Sequence, residues 1–238
     1  MVSIVRQLGH SYEFFNSGVR IGCISVRRNP FHAQNCYLDL NLEQYDPAIA
    51  RELFELLSGE LACPLQAMLH SRDEEKCAFL TSGGFERKRR CYEMEVTAAE
   101  LKTSVKEDVL LTEILPSDTA YRVCCELLYN SYVKTHEAVS PLTASKEQFY
   151  NTLPGTVLLR EENGEIVHFA FTEGNEIAYV GTVSQSDFHS FAQALLSRML
   201  TRYDSIAFEC DDCDPSAMEL KAFFCTRDED SYDTYILD

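Results

Sequence analysis

Alternating apolar and polar residues predict strands in several parts of the chain, each bounded by turn residues. Residues 12–26 alternate on both sides of the turn at 16–18, which predicts a β-hairpin. A helical apolar period starts after Asp46 and Pro47, where the carboxylate can cap the helix and proline fits the first helical position. A short strand and a short helix follow, and residues 87–96 alternate again as the last strand of this first half.

The second half of the chain repeats this order of elements. Its hairpin turns at Asn163-Gly164, because Asn-Gly is the strongest short hairpin signal. Both halves therefore predict a hairpin, a strand, a long helix, a strand, a helix and a terminal strand. In the second half the elements after the hairpin are a strand at 177–183, a helix from Phe188, a strand at 206–210, a helix opened by Asp214-Pro215 and a strand at 232–237.

This repetition predicts a mixed α/β (α+β) protein of two units. We place a partial unit at residues 1–96, a linker at 97–109 and a complete unit at 110–238. The linker assignment depends on the scarcity of large apolar side chains in that stretch. The second unit adds a strand and two helices at its front, and we expect the first unit to lack all three.

The order of elements and the turn residues resemble the GNAT superfamily of N-acetyltransferases. Residues 73–85 look like the family's penultimate helix, which ends in Gly-Phe, and Tyr92-Glu-Met94 looks like the strand after it. The second half is similar in its hairpin, its strand to Val183 and its helix at 214–220. The resemblance implies two GNAT-like mixed-sheet units and an acyl-CoA-dependent N-acetyltransferase with acetyl-CoA as co-substrate.

The family grips acetyl-CoA with an Arg/Gln-x-x-Gly-x-Gly/Ala loop that opens the long helix and points backbone N–H groups at the pyrophosphate. Counted from the helix, the second half has Asp187, Ser190 and Ala192 in this loop, of which Ala192 fits the pattern. Asp187 would repel a phosphate, or it could cap the helix instead. The first half has Pro47 there, which removes an N–H donor, so we expect no acetyl-CoA in that half. The backbone contacts implied for the second half are Gly181, Thr182 and Val183.

The family's chemistry needs a base for the amine and an acid for the leaving thiolate. Glu173 and Glu176 precede one central strand and Glu209 ends the next, so these are the candidate bases. The family's late-helix tyrosine is replaced by Lys221, which leaves Tyr179 or a water as the acid. The alternative for each glutamate is a solvated strand end.

The charge distribution changes the expected partner. Residues 1–107 carry a net charge of −2 and residues 108–238 a net charge of −15. A half with this negative charge repels phosphate backbones, so nucleic acid is not the expected partner. The charge favours a small-molecule amine or a basic peptide as the partner instead. Acidity that serves solubility alone is the alternative. The one dense basic run, residues 87–90, is a candidate anion contact or a charge-protected edge strand.

The ten cysteines and the N-terminus predict a cytoplasmic protein. No apolar run approaches the ~20 residues of a membrane span, and the first residues lack a secretory signal. We therefore expect free, buried thiols. Cys210 and Cys213 have the spacing of a zinc or redox pair, but no second pair accompanies them, and we expect no metal.

Two functions from different classes remain. The first is acyl transfer to an amine of a small molecule or a basic peptide. The second is a binding or interaction protein that keeps the fold and has lost the co-substrate and catalysis. The feature that separates them is the phosphate loop without its two glycines, so acetyl-CoA binding is the discriminating measurement.

Overall fold

The strands and helices follow the predicted order. The structure is a computed structural model that describes residues 1–106, 108–184, 186–225 and 230–238. Its strands are β1 (Val2–Arg6), β2 (Ser11–Asn16), β3 (Val19–Asn29), β4 (His32–Leu42), β5 (Leu65–His70), β6 (Glu86–Thr97), β7 (Thr112–Ile114), β8 (Thr156–Glu162), β9 (Glu165–Glu173), β10 (Glu176–Thr182), β11 (Ser205–Asp211) and β12 (Tyr232–Leu237). Its helices are α1 (Pro47–Leu61), α2 (Glu74–Ser82), α3 (Thr119–His136), α4 (Lys146–Tyr150), α5 (Phe188–Arg202) and α6 (Pro215–Ala222). Within the described ranges, no helix is long and apolar enough to cross a membrane.

The chain divides into two compact units. The first comprises residues 1–90, 136–144 and 230–238, and the second comprises 91–135 and the described part of 145–229. The sequence assigns the last strand to the second half, whereas β12 lies in the first unit, where it pairs antiparallel with β5. Position 107 of the predicted linker lies outside the described residues, and the domain limits 1–96 and 110–238 stay a prediction.

In the first unit the strands lie in the order β1-β2-β3-β4-β5-β12-β6, to which β6 contributes residues 86–90. The expectation that the first half lacks an opening strand is wrong, because β1 pairs antiparallel with β2 along its whole length. Val2 and Ile4 alternate inward on this strand, but five residues are too short a pattern to separate from a flexible terminus. The two additional helices of the second half have no counterpart between β1 and β2.

The expectation of free thiols throughout is also wrong. Cys36 and Cys63 form a disulfide with their Cα atoms 6.5 Å apart, a normal separation for such a bond. The reason is the register of two parallel strands, which places Cys36 of β4 beside Leu65 of β5, two residues after Cys63. Sequence spacing alone does not reveal this proximity.

Residues 136–144 connect α3 to α4 and are held by β4 and the turn before it. The Phe31 carbonyl accepts hydrogen bonds from the Thr143 and Ala144 N–H groups. The His32 Nδ1 atom lies 2.6 Å from the Ser140 carbonyl oxygen. These polar contacts explain why this connection belongs to the first unit although its two helices belong to the second.

The second unit has the strand order β6-β11-β10-β9-β8-β7, to which β6 contributes residues 91–97. One face of this sheet packs on α5 and α6 through Ile206 and Phe208, which belong to the larger apolar core. The opposite face meets α3, where the Tyr121 ring lies edge-on to Phe171 at 5.7 Å. Because side chains alternate along a strand, each β11 or β9 residue can be assigned to one of these faces.

Candidate active site

A cleft opens where β10 and β11 diverge. These parallel strands pair at Glu176 with Ala207 and at Ile177 with Phe208, and beyond those residues their ladder has no further register pairs in the described chain. The Val183 N–H donates to the Val167 carbonyl of β9. Since the direction of backbone groups alternates along a strand, the amides of Val180 and Thr182 face the diverging β11 instead. An extended ligand could pair with this edge as an added strand.

A bulge in β10 determines where Tyr179 points. The register with β9 shifts between Ile177 and Tyr179, so Ala178 is an extra residue. Ile177 and Val180 both pack in the core beneath α5, and the extra residue turns Tyr179 to the opposite face. Without the bulge, strict alternation would bury the tyrosine on the α5 side.

Tyr179 lies among aromatic rings of α3 and α4 and within the electrostatic range of two of the predicted catalytic glutamates. Its ring centroid lies 6.4 Å from those of Tyr132 on α3 and Phe149 on α4. Burial raises the pKa of the Tyr179 phenol, and the carboxylates of Glu209 and Glu176 raise it further. The phenol therefore stays protonated at neutral pH and can donate a hydrogen bond.

The structure does not bring all three glutamates to Tyr179 equally. Glu209 and Glu176 both act on its phenol, whereas Glu173 lies at the exposed end of β9 and is not among the charges that shift this tyrosine. Glu173 instead stands opposite Glu176 in the β9–β10 register. We therefore favour Glu209 and Glu176 over Glu173 as bases.

Glu209 belongs to an acidic face of the sheet. It stands directly opposite Glu93 across the antiparallel β11–β6 pair, and Glu95 stands opposite Ala207. Directly opposed like charges destabilise a sheet. The Cys91 thiol donates to the Glu209 Oε2 atom at 3.7 Å. This concentration of carboxylates suits a cationic group better than an anionic one.

The residues predicted to bind the co-substrate lie around the connection from β10 to α5. Gly181 is buried and Thr182 half-buried at the end of β10, and Val183 is exposed just after it. In the first turns of α5, Ser190 is half-buried and Ala192 fully buried. The described residues on either side of position 185, namely 183–184 and 186–187, are exposed, whereas Gly181 and Ala192 are buried.

The sequence allows Asp187 to cap α5, but in the structure it does not. It precedes the helix with a φ of 59°, and its carboxylate makes no capping hydrogen bond in the described residues. The left-handed backbone turns the side chain away from the first-turn amides that an extended N-cap would reach. Those N–H groups remain available to an anion.

Two aromatic contacts and one histidine of this site are not predicted by the sequence. Tyr132 and Phe149 come from the two helices before the repeated part, and no spacing relates them to Tyr179. His168 lies opposite Thr182 in the β9–β10 register. Counting residue pairs outwards from the tight turn at 174–175 would indicate the partner of His168, but the bulge in β10 shifts that count by one residue.

The corresponding cleft of the first unit is filled by the chain itself. Its parallel strands β4 and β5 pair at Cys36 with Leu65 and at Tyr37 with Gln66 in the described chain, and then diverge in the same way. The Tyr45 hydroxyl donates to the Leu40 carbonyl at 3.3 Å and accepts from the Leu42 N–H at 3.5 Å. These two groups form the edge that faces β5.

The helix start beside that cleft is occupied as well. The Asp46 carboxylate accepts from the Ala48 N–H and so caps α1, as predicted, with Pro47 as the first helical residue. The Tyr45 ring packs edge-on against Phe79 at 5.5 Å, which holds its hydroxyl in place. Neither the strand edge nor the helix terminus of the first unit is therefore open to an acyl-CoA.

The basic run and the cysteine pair serve structural roles. Arg87 Nη1 lies 3.2 Å from the buried Asp233 carboxylate, and Arg89 Nη1 lies 3.1 Å from the His136 ring. The Cys210 thiol donates to the Ala217 carbonyl at 3.2 Å, and burial raises its pKa to about 12. A thiol that stays protonated is a poor metal ligand and a poor redox nucleophile.

Comparisons with known proteins identify the fold. No family model and no curated protein matches the chain. A GCN5-related N-acetyltransferase from Sphaerobacter thermophilus superposes with a TM-score of 0.55 at 10% identity, over 98% of this chain and 82% of that one. A tandem GNAT protein from the clavulanic acid biosynthesis pathway, solved without AcCoA, has a TM-score of 0.50 at 13% identity, over 99% of this chain and 83% of that one.

Identities this low establish the fold alone. The fold agrees with the element order, with the diverging parallel strands of each unit, and with the two helices that precede the second hairpin. The chain thus has the fold of the GNAT superfamily of N-acetyltransferases, as two GNAT-like mixed-sheet units.

Proposed function

We propose that the second unit transfers an acyl group from an acyl-CoA, in the first instance acetyl-CoA, to an amine. The observation that carries this proposal is the divergence of β10 from β11 beside the uncapped start of α5. The amide groups of the co-substrate's extended arm would pair with the backbone of Val180 and Thr182. Its phosphates would accept hydrogen bonds from the first-turn amides of α5.

The residues around Tyr179 fit the proton transfers of this reaction. As the amine nitrogen bonds to the acyl carbon, Glu209 accepts the amine proton, with Glu176 as the second carboxylate. The carbon–sulfur bond breaks, and the Tyr179 hydroxyl, which is protonated at neutral pH, gives its proton to the leaving thiolate. Holding the two reactants together in this geometry supplies the rest of the acceleration.

The acceptor we propose is a cationic amine, either on a small molecule or in a basic peptide. The acidic face of Glu93, Glu95, Glu176 and Glu209 would attract an ammonium group. Glu176 would pass the first ammonium proton to solvent before the nitrogen attacks, and Glu209 would accept the second as the carbon–nitrogen bond forms. The same charges oppose a nucleic acid, whose phosphates would have to approach the second half against a net charge of −15.

Acetyl-CoA binding tests the function directly. We expect isothermal titration to give one acetyl-CoA per chain, because Tyr45 fills the first cleft. A concentration of 100 times Kd should raise the free energy of unfolding by about 2.7 kcal/mol. A stoichiometry of two would contradict the self-filled first cleft. No binding of acetyl-CoA or longer acyl-CoAs at millimolar concentration would favour the interaction protein without catalysis.

Ionic strength should affect the two ligands in opposite directions. Acetyl-CoA is anionic and must approach an acidic unit whose residues 182–192 contain no lysine or arginine. We expect salt raised from about 0.01 M to about 0.15 M, which shortens the screening length from ~30 to ~8 Å, to tighten acetyl-CoA and weaken a polyamine acceptor. Titrations of both ligands across this range provide the measurement. Weaker acetyl-CoA binding at higher salt would instead indicate a basic group in the site.

A further inference from the structure

His168 is a buried histidine beneath the connection from β10 to α5. Its side chain is 1% exposed, and it lies opposite Thr182 in the β9–β10 register. Its Nδ1 atom is 2.8 Å from the Thr182 hydroxyl oxygen. A buried polar group in such a position is costly unless its hydrogen bonds have a structural or functional use.

The Thr182 hydroxyl organises the backbone that follows it. It accepts a hydrogen bond from the Ser184 N–H at 3.1 Å, and the carbonyl oxygens of Ser184 and Val167 both lie within its donating range. A hydroxyl has one proton, which is directed to one of its acceptors. The Thr182 hydroxyl therefore joins His168 to the Val167 and Ser184 backbone through one set of hydrogen bonds, in which the Nδ1 atom is one of the partners.

The His168 ring packs against the start of α5. The ring centroid lies 5.6 Å from that of Phe188 and 5.4 Å from that of Phe191, both in the first turn of the helix. The Nε2 atom has no hydrogen-bond partner among the described residues. This buried ring nitrogen is a second position at which the His168 ring can carry a proton.

The charges around His168 come from two further elements. Burial lowers the pKa of His168, and Arg160 of β8 lowers it further, whereas Glu162, Asp187 and the Ser186 carbonyl raise it. The ring is therefore neutral at pH 7 in the free protein. An anion bound at the first turn of α5 would add a strong contribution in the opposite direction.

We propose that His168 is a positioning residue of the acyl-CoA site, which holds the β10–α5 connection through Thr182 and takes up a proton from solvent when the phosphates bind. This inference depends on the proposed function. The positive charge would partly offset the repulsion from Asp187 and the acidic unit. By linkage, acyl-CoA should then bind more tightly as the pH falls.

Two substitutions separate the hydrogen bond from the charge. His168→Leu removes both, and we expect its Kd for acetyl-CoA to rise at least about tenfold. His168→Asn keeps an amide that can donate or accept a hydrogen bond near the Nδ1 position, without a titratable group, so its Kd at about pH 7.5 should stay within about threefold of wild type. His189→Asn is the matched control, because His189 is exposed in the first turn of α5 and contacts Glu219.

Calorimetry of the full chain at about pH 6 and pH 7.5 gives the decisive measurement. The probe is 3′-dephospho-acetyl-CoA, because the removed phosphate monoester titrates near pH 6 itself. Wild type and His189→Asn should bind it about fivefold more tightly at the lower pH, with proton uptake detected between buffers of different ionisation enthalpy. His168→Asn should bind equally at both, without proton uptake.

Several outcomes would overturn the inference. An unchanged Kd in His168→Leu would exclude positioning, and the same pH dependence in His168→Asn as in wild type would exclude proton uptake. If His168→Leu does not fold, the pH comparison of His168→Asn still decides. Absence of acyl-CoA binding by wild type at either pH would overturn the proposed function as a whole, which is distinct from a loss confined to the His168 variants.

Discussion

A Glu209→Gln variant should transfer acetyl groups at least about 100 times more slowly than wild type, with little change in its Kd for acetyl-CoA. The Glu209 side chain lies on the sheet face that carries Tyr179, and its carboxylate raises the pKa of the Tyr179 phenol. Glutamine keeps the size of the side chain but cannot accept the amine proton, and loss of a general base costs roughly 10² to 10⁴ in rate. The measurement is kcat with a polyamine acceptor.

The other carboxylates provide graded controls for this prediction. Glu176→Gln should cost less than Glu209→Gln, and Glu173→Gln least, because Glu173 does not act on Tyr179. Glu165→Gln, at the exposed opposite end of β9, should behave as wild type. A larger loss in Glu173→Gln than in Glu209→Gln would contradict the assignment made from the geometry.

Tyr179→Phe provides a second, independent check of the same site. Removal of the hydroxyl should lower kcat and leave the affinity for acetyl-CoA unchanged, since the proposed role of the phenol is to protonate the thiolate. The raised pKa predicts that wild-type activity does not fall at moderately alkaline pH through ionisation of this tyrosine. A loss of affinity in place of rate would make Tyr179 a binding residue.

The sequence predicts the elements of this fold well because their signals are local. Asp46 caps α1 as expected, and Asn163 and Gly164 form the predicted hairpin turn, both with positive φ. Each of these signals depends on the conformational preferences of one or two residues. The repeated order of elements, and with it the resemblance to the GNAT superfamily, follows from a series of such signals.

Contacts between distant segments are not predicted by the sequence. β12 pairs with β5 across more than 160 positions, and the Cys36–Cys63 disulfide depends on the register of two parallel strands. No local preference encodes either choice. The same limit applies to the self-filled first cleft, where the Tyr45 hydroxyl reaches a strand edge that is visible after the fold is known.

The sequence predicts which strands carry the candidate catalytic residues, but it does not predict on which face of the sheet their side chains lie. The sequence assigns Glu176 and Tyr179 to one strand and Glu209 to the next, but the alternation of residues 177–183 puts Tyr179 on the α5 side of the sheet unless Ala178 is extra. A bulge of one residue leaves no mark in a pattern of this length. The bulge reverses the sheet face of every β10 residue that follows it, including Gly181 and Thr182.

Replacing Gly181 by alanine should lower the free energy of unfolding by about 2–3 kcal/mol. After the bulge, Gly181 lies directly over Phe169, and a Cβ atom there would stand 2.4 Å from the Phe169 Cζ atom. That ring is 1% exposed and lies edge-on to Phe171 at 6.1 Å, so it cannot move without disturbing the core. Thermal unfolding of the full chain should show a fall in Tm of roughly 5–10 °C.

Gly59 and Phe169 provide the controls that identify the cause. Gly59→Ala, in α1 with nothing within 4 Å of its added Cβ, should stabilise by about 0.5–1 kcal/mol, since alanine favours a helix. In a Phe169→Leu background the cost of Gly181→Ala should shrink by at least half, because the smaller side chain leaves room for the methyl group. An equal cost in both backgrounds would mean that the alanine acts on the strand itself, and the clash with Phe169 would not be the reason for a glycine at this position.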